Sequence, residues 1–494
     1  MNITDEELLM IEHLTYLNES VAKAAGIAKF EVVNKDYINS TVYEILAKFD
    51  STAIANLEAR GDKILSADVS GYEWAQIIKY LQNNTRLNRL MLTETMETSK
   101  GVPLALCFTD GTPDTREAII AFKGTTGGEE WSDNVEGAIL RDTPDQIEAL
   151  EFVQGLPYAD IILTGHSKGG NKANYITILC DKVKRCVGFD PQGFSQIFLN
   201  DPKYSRRIEE RASLIKNYSL STDFVHILLY ELPGAKQIFC KGFGVDSTGQ
   251  HHSPNSFFYT DYYGNLVLDG IFEFPMFVES VESESVALLR GYVRYLLETG
   301  SEKEVKEMVE YISGIMYRKD KGSSEMIDFA FSDYDRLSTI VGGLLSYVDK
   351  NDISDRDIEN LVITLFGSDF VGKIVSLAVN QGIDDDDSDP IFTNLAWFLA
   401  DKFLSLKDID LRNIINHSDF NRLWGLINVK FKDFNKRNDI EPPKIIQILN
   451  DVEMYIYKEL LSGEYDYIDG TSGNDHLRSG SGNAMIFGFS GDDT

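Results

Sequence analysis

Residues 161–170, IILTGHSKGG, constrain the fold of this chain more than any other segment. A short apolar run leads directly into G-x-S-x-G, and the helix-compatible stretch NKANYITILC follows. Gly165 and Gly169 permit a crowded turn, so the pattern predicts a strand, a sharp turn and a helix, with Ser167 at the turn. A hydroxyl in that position becomes a nucleophile when a base is near, and the amino end of the helix favours developing negative charge.

Residues 105–272 alternate short apolar runs with helix-like segments. This alternation is typical of α/β proteins, so we predict an α/β fold with a mostly parallel sheet. From about residue 280 to 463 long helix-compatible stretches predominate, and Glu302 and Lys306 are spaced as an i,i+4 ion pair. The predicted strands are residues 104–108, 118–122, 161–164, 186–189, 224–229 and 237–240.

A serine nucleophile needs a base, and the hydrolase order Ser, Asp or Glu, His limits the candidates to histidines after Ser167. His226 falls in a predicted strand, His417 in the predicted helical domain and His476 in the C-terminal repeat. This leaves the adjacent pair His251 and His252, with His252 as the first choice. An adjacent histidine pair could also bind a metal or lie in a polar loop.

The acid that orients such a base should lie between the serine and the histidine at the end of a strand. Asp223, at the start of an apolar run, is the first choice, and Asp190 is the alternative. Each aspartate could instead cap a turn.

An oxyanion hole needs N–H donors aimed at the oxygen that becomes charged. The backbone N–H of Lys168, directly after the serine, is one predicted donor. The other is Thr125, which follows the predicted strand AIIAF in a glycine-rich segment.

Two motifs, AFKGTTGGEEWSDN and TGHSKGGNKANY, are similar to those of the class 3 lipases and resemble more closely the Mbeg-like branch of the α/β hydrolases. In that branch an H-x-P-x-S-aromatic segment is matched here from His252, which favours His252 over His251. The resemblance covers roughly residues 3–272 and implies an α/β-hydrolase fold and ester hydrolysis. It implies Ser167 as nucleophile, His252 as base, Asp223 as acid, and Thr125 with Lys168 at the oxyanion hole.

The charge of the chain excludes one class of partner. Asp and Glu number 78 against 47 Lys and Arg, for a formal net charge of -31. Such a field repels polyphosphate, so we expect no nucleic-acid partner. Four cysteines without metal-ligand spacing are predicted to be buried.

The last segment repeats every nine residues as GTSGNDHLR, SGSGNAMIF and GFSGDDT. This nine-residue repeat resembles that of the calcium-binding β-roll of RTX proteins. The resemblance implies calcium ligands at Gly473, Asp475, Gly491 and Asp493. Ala484 departs from the aspartate pattern, and a flexible Gly/Ser/Asp-rich tail is the alternative. The chain stops inside the third unit, so we expect that further repeats follow in the full gene product.

We therefore predict a lipase-like α/β-hydrolase domain (1–275), a helical domain of unknown role (276–465) and the start of a calcium-binding parallel β-roll (466–494). The predicted activity is serine hydrolysis of carboxylic esters, with a lipid or other acyl ester as substrate, contact with a membrane surface and no cofactor for catalysis. The acidic N-terminus disfavours a cleaved signal peptide, and the RTX-like repeats imply secretion by the bacterial type I machinery. The alternatives are a cytoplasmic enzyme and a secreted binding or toxin-delivery protein with an inert hydrolase fold.

Overall fold

The computed structural model divides into two compact units, residues 1–350 and 351–494. It describes residues 1–33, 35–99, 101–124, 136–243, 250–261, 265–268, 277–316, 326, 329–330, 332–351, 353–367, 466–469, 474–478 and 484–487. Among these residues, no helix has both the length and the apolar composition needed to span a bilayer.

Seven of the described strands form one sheet in the order β3-β4-β5-β6-β7-β8-β9. The first two pairings are antiparallel, and the four pairings from β5 to β9 are parallel. The predicted mostly parallel α/β architecture is confirmed and is compatible with an α/β-hydrolase-like fold. The strands are β1 (Ile64–Ser66), β2 (Val69–Ser70), β3 (Met91–Glu97), β4 (Pro103–Thr109), β5 (Glu117–Phe122), β6 (Asp160–His166), β7 (Val183–Phe189), β8 (Ile215–Leu220), β9 (Lys236–Cys240), β10 (Asp466–Asp469) and β11 (Ala484–Phe487).

Helices cover both faces of this sheet, as parallel strands require. The described helices are α1 (Asp5–His13), α2 (Glu19–Ala24), α3 (Val42–Leu46), α4 (Ser51–Glu58), α5 (Gly71–Asn83), α6 (Pro144–Gly155), α7 (Lys168–Leu179), α8 (Gln196–Asn200), α9 (Pro202–Arg211), α10 (Glu284–Thr299), α11 (Glu302–Met316), α12 (Tyr334–Asn351) and α13 (Asp355–Phe366).

Strand β5 shows how the sequence makes a two-sided sheet. Its side chains alternate, so Ile119 and Ala121 join the core formed with the N-terminal helices. Ile120 and Phe122 point to the other face and join the core formed with α6 and α7. The four cysteines are all free and buried, as predicted.

Helix α1 begins with a capping box, which the spacing of Thr4 and Glu7 predicts. Thr4 accepts a hydrogen bond from the Glu7 backbone at 3.2 Å, and Glu7 accepts one from the Thr4 backbone at 3.0 Å. The helix is more deeply buried than one apolar face would require, because Glu12 and His13 are also fully buried. It therefore packs inside the molecule, close to the sheet residues described below.

The strand predicted at 224–229 is wrong, because residues 221–229 form successive turns. The Asp223 carboxylate accepts hydrogen bonds from the backbone of Val225 at 2.9 Å and of His226 at 3.1 Å, which folds the chain back on itself. The strand in this part of the sheet is β8, which an apolar-run pattern does not predict because β8 contains polar residues. Lys216 and Asn217 find partners in Asp5 and Asn174, so polar side chains are accommodated along β8.

The described residues between 284 and 366 are mainly helical, as predicted for that part of the chain, whereas residues 368–463 lie outside the described residues. Helices α10 and α11 follow one another, and Lys306 and Glu302 form the expected ion pair at 3.1 Å. In the second unit, β10 and β11 pair in parallel, with Asp466 opposite Ala484. These partners are 18 residues apart (484 − 466), or two nine-residue units. The boundaries at 275 and 465 stay predictions from sequence.

Candidate active site

Ser167 lies at the sharp turn between β6 and α7. Its backbone has φ 57° and ψ −126°, a conformation that costs energy for a residue with a side chain. The turn depends on its glycines, because a Cβ at Gly165 would overlap the Gly169 backbone and a Cβ at Gly169 would overlap the Phe122 carbonyl. The predicted strand, turn and helix are therefore present, and the serine is held in a strained position.

The structure brings His252 and Asp223 together. His252 Nδ1 donates to Asp223 Oδ1 at 2.8 Å, while His251 bonds to the Thr222 hydroxyl instead. Asp223 is fully buried, and the His252 side chain is 12% exposed. Of the two adjacent histidines, His252 is thus the one that contacts the predicted acid.

His166, directly before the serine, links three parts of the chain. Its Nε2 donates to the His252 carbonyl at 2.8 Å, and the Tyr16 hydroxyl donates to its Nδ1 at 2.9 Å. Tyr16 in turn accepts the Gly124 N–H at 3.0 Å. The ring centroids of His166 and His252 are 4.6 Å apart. The hydrogen bonds from Gly124 through Tyr16 and His166 to the His252 carbonyl therefore hold the His252 loop against the serine turn.

The pKa values of two buried aspartates near His252 are shifted in opposite directions. Burial alone would raise the pKa of Asp223, but the charge of His252 and hydrogen bonds from His226 and His252 hold it below its ordinary value. Burial and the neighbouring charge of Asp223 raise the pKa of Asp190 well above its ordinary value. The two pKa shifts are therefore opposite in direction, so the surroundings favour the anion of Asp223 and the neutral acid of Asp190.

Sequence reasoning missed a second histidine on the acid. His226 Nδ1 lies 3.2 Å from Asp223 Oδ2, and its Nε2 lies 2.9 Å from Glu282 Oε1. Arg290 Nη2 then donates to Glu282 Oε2 at 2.7 Å. The wrongly predicted strand removed His226 from the candidates, whereas an Asp followed three residues later by a His is compatible with a turn and could have been the signal.

Of the two predicted oxyanion donors, only Lys168 lies within the described residues. Helix α7 begins at Lys168, so the Lys168 backbone N–H lies beside Ser167 at the positive end of the helix. The Lys168 side chain is buried and donates to Gln192 Oε1 at 3.2 Å. Thr125 lies outside the described residues. Gly124, just before it, abuts the turn, since a Cβ there would lie 3.0 Å from Ser167 Cβ.

Two side-chain groups in this site are close enough to share a metal ion: His166, Asp190 and His252, and Asp190, Asp223 and His226. Both ring nitrogens of His166 and of His226 already have hydrogen-bond partners. The arrangement therefore fits a hydrogen-bonded network better than a metal centre. Of the predicted calcium ligands, Asp475 lies between β10 and β11, while Gly473, Gly491 and Asp493 lie outside the described residues.

Comparison with known families supports part of this picture. A family described as Mbeg1-like matches residues 82–231, which include Ser167 and Asp223 but not His252. No curated protein has a sequence that matches this chain significantly. Residues 82–231 are therefore similar to the Mbeg1-like family.

Proposed function

We propose that this protein is a serine hydrolase of carboxylic esters. The observation that carries the proposal is the 2.8 Å bond from His252 to the buried Asp223 carboxylate, in a loop held by His166 against the strained serine turn. The bond to the carboxylate fixes the Nδ1–H tautomer of the neutral imidazole, in which Nε2 carries the lone pair that a general base for a neighbouring hydroxyl requires.

The proposed mechanism assigns each residue one task. Ser167 Oγ attacks the ester carbonyl carbon while His252 Nε2 takes its proton, and Asp223 stabilises the imidazolium that forms. The Lys168 N–H, and in this proposal that of Thr125, donates to the oxygen that becomes negative. The protonated His252 returns its proton to the leaving alcohol, and water then releases the acid from the acyl-enzyme by the same steps.

The proposed substrates are lipids or other acyl esters, with contact at a membrane surface and secretion by the type I route. A cytoplasmic location is the alternative. A thioesterase or peptidase would use the same residues, so turnover of esters, thioesters and amides must be compared.

The test is hydrolysis of p-nitrophenyl esters of two to sixteen carbons, together with fluorophosphonate labelling followed by mass spectrometry. We expect labelling at Ser167 and its loss, with hydrolysis, in Ser167→Ala. Ser51→Ala, which changes an exposed serine at the start of α4, is the matched control. An unlabelled wild-type protein without ester turnover would favour the binding or toxin-delivery alternative.

A second candidate function is calcium binding by the C-terminal repeats. The 18-residue offset between β10 and β11 supports it, because two nine-residue units per turn would stack strands in parallel with this register. Asp475 and Asp493 would supply carboxylate oxygens, and Gly473 and Gly491 carbonyl oxygens, of the kind that calcium prefers.

Calorimetric titration of the full chain with calcium tests this second candidate. We expect heat that is reduced in the double variant Asp475→Asn, Asp493→Asn and retained in Asp384→Asn, which changes an acidic residue outside the repeats. Equal heats in all three proteins would argue against binding by the repeats.

A further inference from the structure

His226 is enclosed between two carboxylates from separate elements. Asp223 lies on the turn after β8, and Glu282 lies just before α10. Both ring nitrogens of His226 contact carboxylate oxygens, at 3.2 Å and 2.9 Å. Ionised carboxylates only accept hydrogen bonds, so the ring satisfies both when each nitrogen carries a proton.

The surroundings of this ring support a cationic His226. Burial opposes the charge, but hydrogen bonds to Asp223 and Glu282, and their charges, raise its pKa above the ordinary value. Burial would raise the pKa of Glu282 too, yet His226 and Arg290 lower it, so Glu282 is an anion. The surroundings of the third carboxyl nearby, Asp190, favour its neutral form, and the Phe239 ring of β9 lies with its centroid 5.4 Å from that of the His226 ring.

Helix α10 is fixed to the turn that carries the acid. The Ser283 N–H, at the start of α10, donates to the Ser221 carbonyl at 2.8 Å. One turn beyond Arg290, the Arg294 guanidinium lies over the Tyr230 ring at 4.2 Å. Glu282 and Arg290 therefore reach the site from an element whose backbone is tied to the residues next to Asp223.

We propose that His226, Glu282 and Arg290 are positioning residues that extend the proposed Ser167, His252 and Asp223 arrangement by a line of alternating charge to helix α10, in which His226 and Glu282 are buried and Arg290 is partly exposed. This inference rests on the proposed function. His226 holds Asp223 Oδ2, which leaves Oδ1 directed at His252. Its positive charge also offsets part of the Asp223 charge, which sets the pH range in which His252 serves as a base.

The charge of His226 can be measured without any assay of activity. In the ¹⁵N spectrum of histidine-labelled full-length protein, we expect one buried ring with both nitrogens protonated at pH 7. That signal should be absent in His226→Gln, and in Glu282→Gln the same ring should lose its proton at lower pH. Glu284→Gln removes the same charge from an exposed position two residues further along and should leave the signal unchanged.

Kinetics test the positioning role. In His226→Gln the loss of a cation beside Asp223 stabilises the His252 imidazolium, so the acidic limb of the kcat/KM profile should move to higher pH by roughly 0.5 to 1 unit. Below that limb this shift corresponds to a roughly 3- to 10-fold lower kcat/KM. Glu284→Gln should match the wild type.

A singly protonated His226 in the unsubstituted protein would overturn the proposal, whether or not any variant folds. An active wild type whose profile is unmoved by His226→Gln would overturn the positioning role and leave the proposed function intact. A wild type that neither hydrolyses esters nor reacts with fluorophosphonate would remove the proposed function and the positioning role together.

Discussion

His166 and His226 are both buried near the proposed base, yet their environments favour opposite charge states. Burial and the charge of His252 lower the pKa of His166 well below its ordinary value, and its partners are a hydroxyl and a carbonyl. His226 faces two carboxylates and has a raised pKa. The comparison shows that burial favours a neutral imidazole, whereas the charge of its acceptors decides which form is present.

The site therefore has two sides. The neutral side consists of Tyr16, His166 and Gly124, joined by hydrogen bonds between uncharged groups. The charged side consists of Asp223, His226 and Glu282. The neutral side ties the His252 backbone to the serine turn, and the charged side fixes the His252 ring through Asp223.

The largest expected effect on activity comes from a substitution on the charged side. Asp223→Asn should lower kcat/KM for an ester by roughly 10³- to 10⁴-fold, because an amide can present N–H₂ to His252 Nδ1 and favour the wrong tautomer. Steady-state kinetics, with circular dichroism to verify folding, measures it. A loss below tenfold would show that Asp223 is not the orienting acid.

A further buried histidine, His13, which belongs to neither side, should make stability depend on pH. Burial lowers the pKa of His13, close to His166, to about 4. Because the unfolded chain then binds more protons, the unfolding free energy should fall as pH drops from about 6.5 towards 4, by up to about 3 kcal/mol from His13. The raised pKa of His226 acts oppositely, since its contribution is present below about pH 6.5 and is lost as pH rises through the higher folded value.

Urea unfolding between pH 4.5 and 8 measures this slope. His13→Leu removes one buried titrating ring and should flatten the slope, whereas His476→Gln changes an exposed ring and should not. A wild-type slope unchanged by His13→Leu would contradict the assignment of His13 as a buried neutral histidine.

Tyr16→Phe tests the bonds of the neutral side. The substitution leaves the Gly124 N–H and His166 Nδ1 without the hydroxyl between them, so we expect a loss of about 2 kcal/mol in the unfolding free energy. Tyr43→Phe, at a residue 58% exposed, is the control. Equal midpoints for the two variants in urea would show that the hydroxyl is not important for stability.

The smallest effect is expected for Asp190→Asn. Burial and the charge of Asp223 raise the pKa of Asp190 and so favour its neutral form, whose charge and shape an amide preserves, together with the acceptor for the Leu220 N–H at 2.7 Å. We expect kcat/KM within about threefold of the wild type. A loss above a hundredfold would indicate that Asp190, rather than Asp223, carries the negative charge.

The sequence predicted well the features that depend on local patterns. The strand, turn and helix around Ser167 follow from an apolar run and glycines, and the capping box at Thr4 follows from residue spacing. The bond between Asp223 and His252 joins the two residues chosen from chain order and from the family resemblance.

What could not be predicted depends on contacts between distant parts of the chain. Strand β8 was missed because its polar residues are paired with side chains from α1 and α7, which no local pattern reveals. Tyr16 lies 150 residues from His166, and Glu282 lies 56 residues from His226. Such pairs become visible only when the fold brings them together.

The position of Glu282 restricts how this protein could be recombined with others. A hydrolase module cut from the gene at residue 275 would lose the anion that faces His226 and the arginine that supports it. A chimaera in which the helices after residue 280 come from another protein would keep the contacts of Glu282 with His226 and Arg290 only if the junction lies beyond Arg290. The useful unit of exchange therefore includes the first turns of α10, although these residues contain no part of the proposed triad.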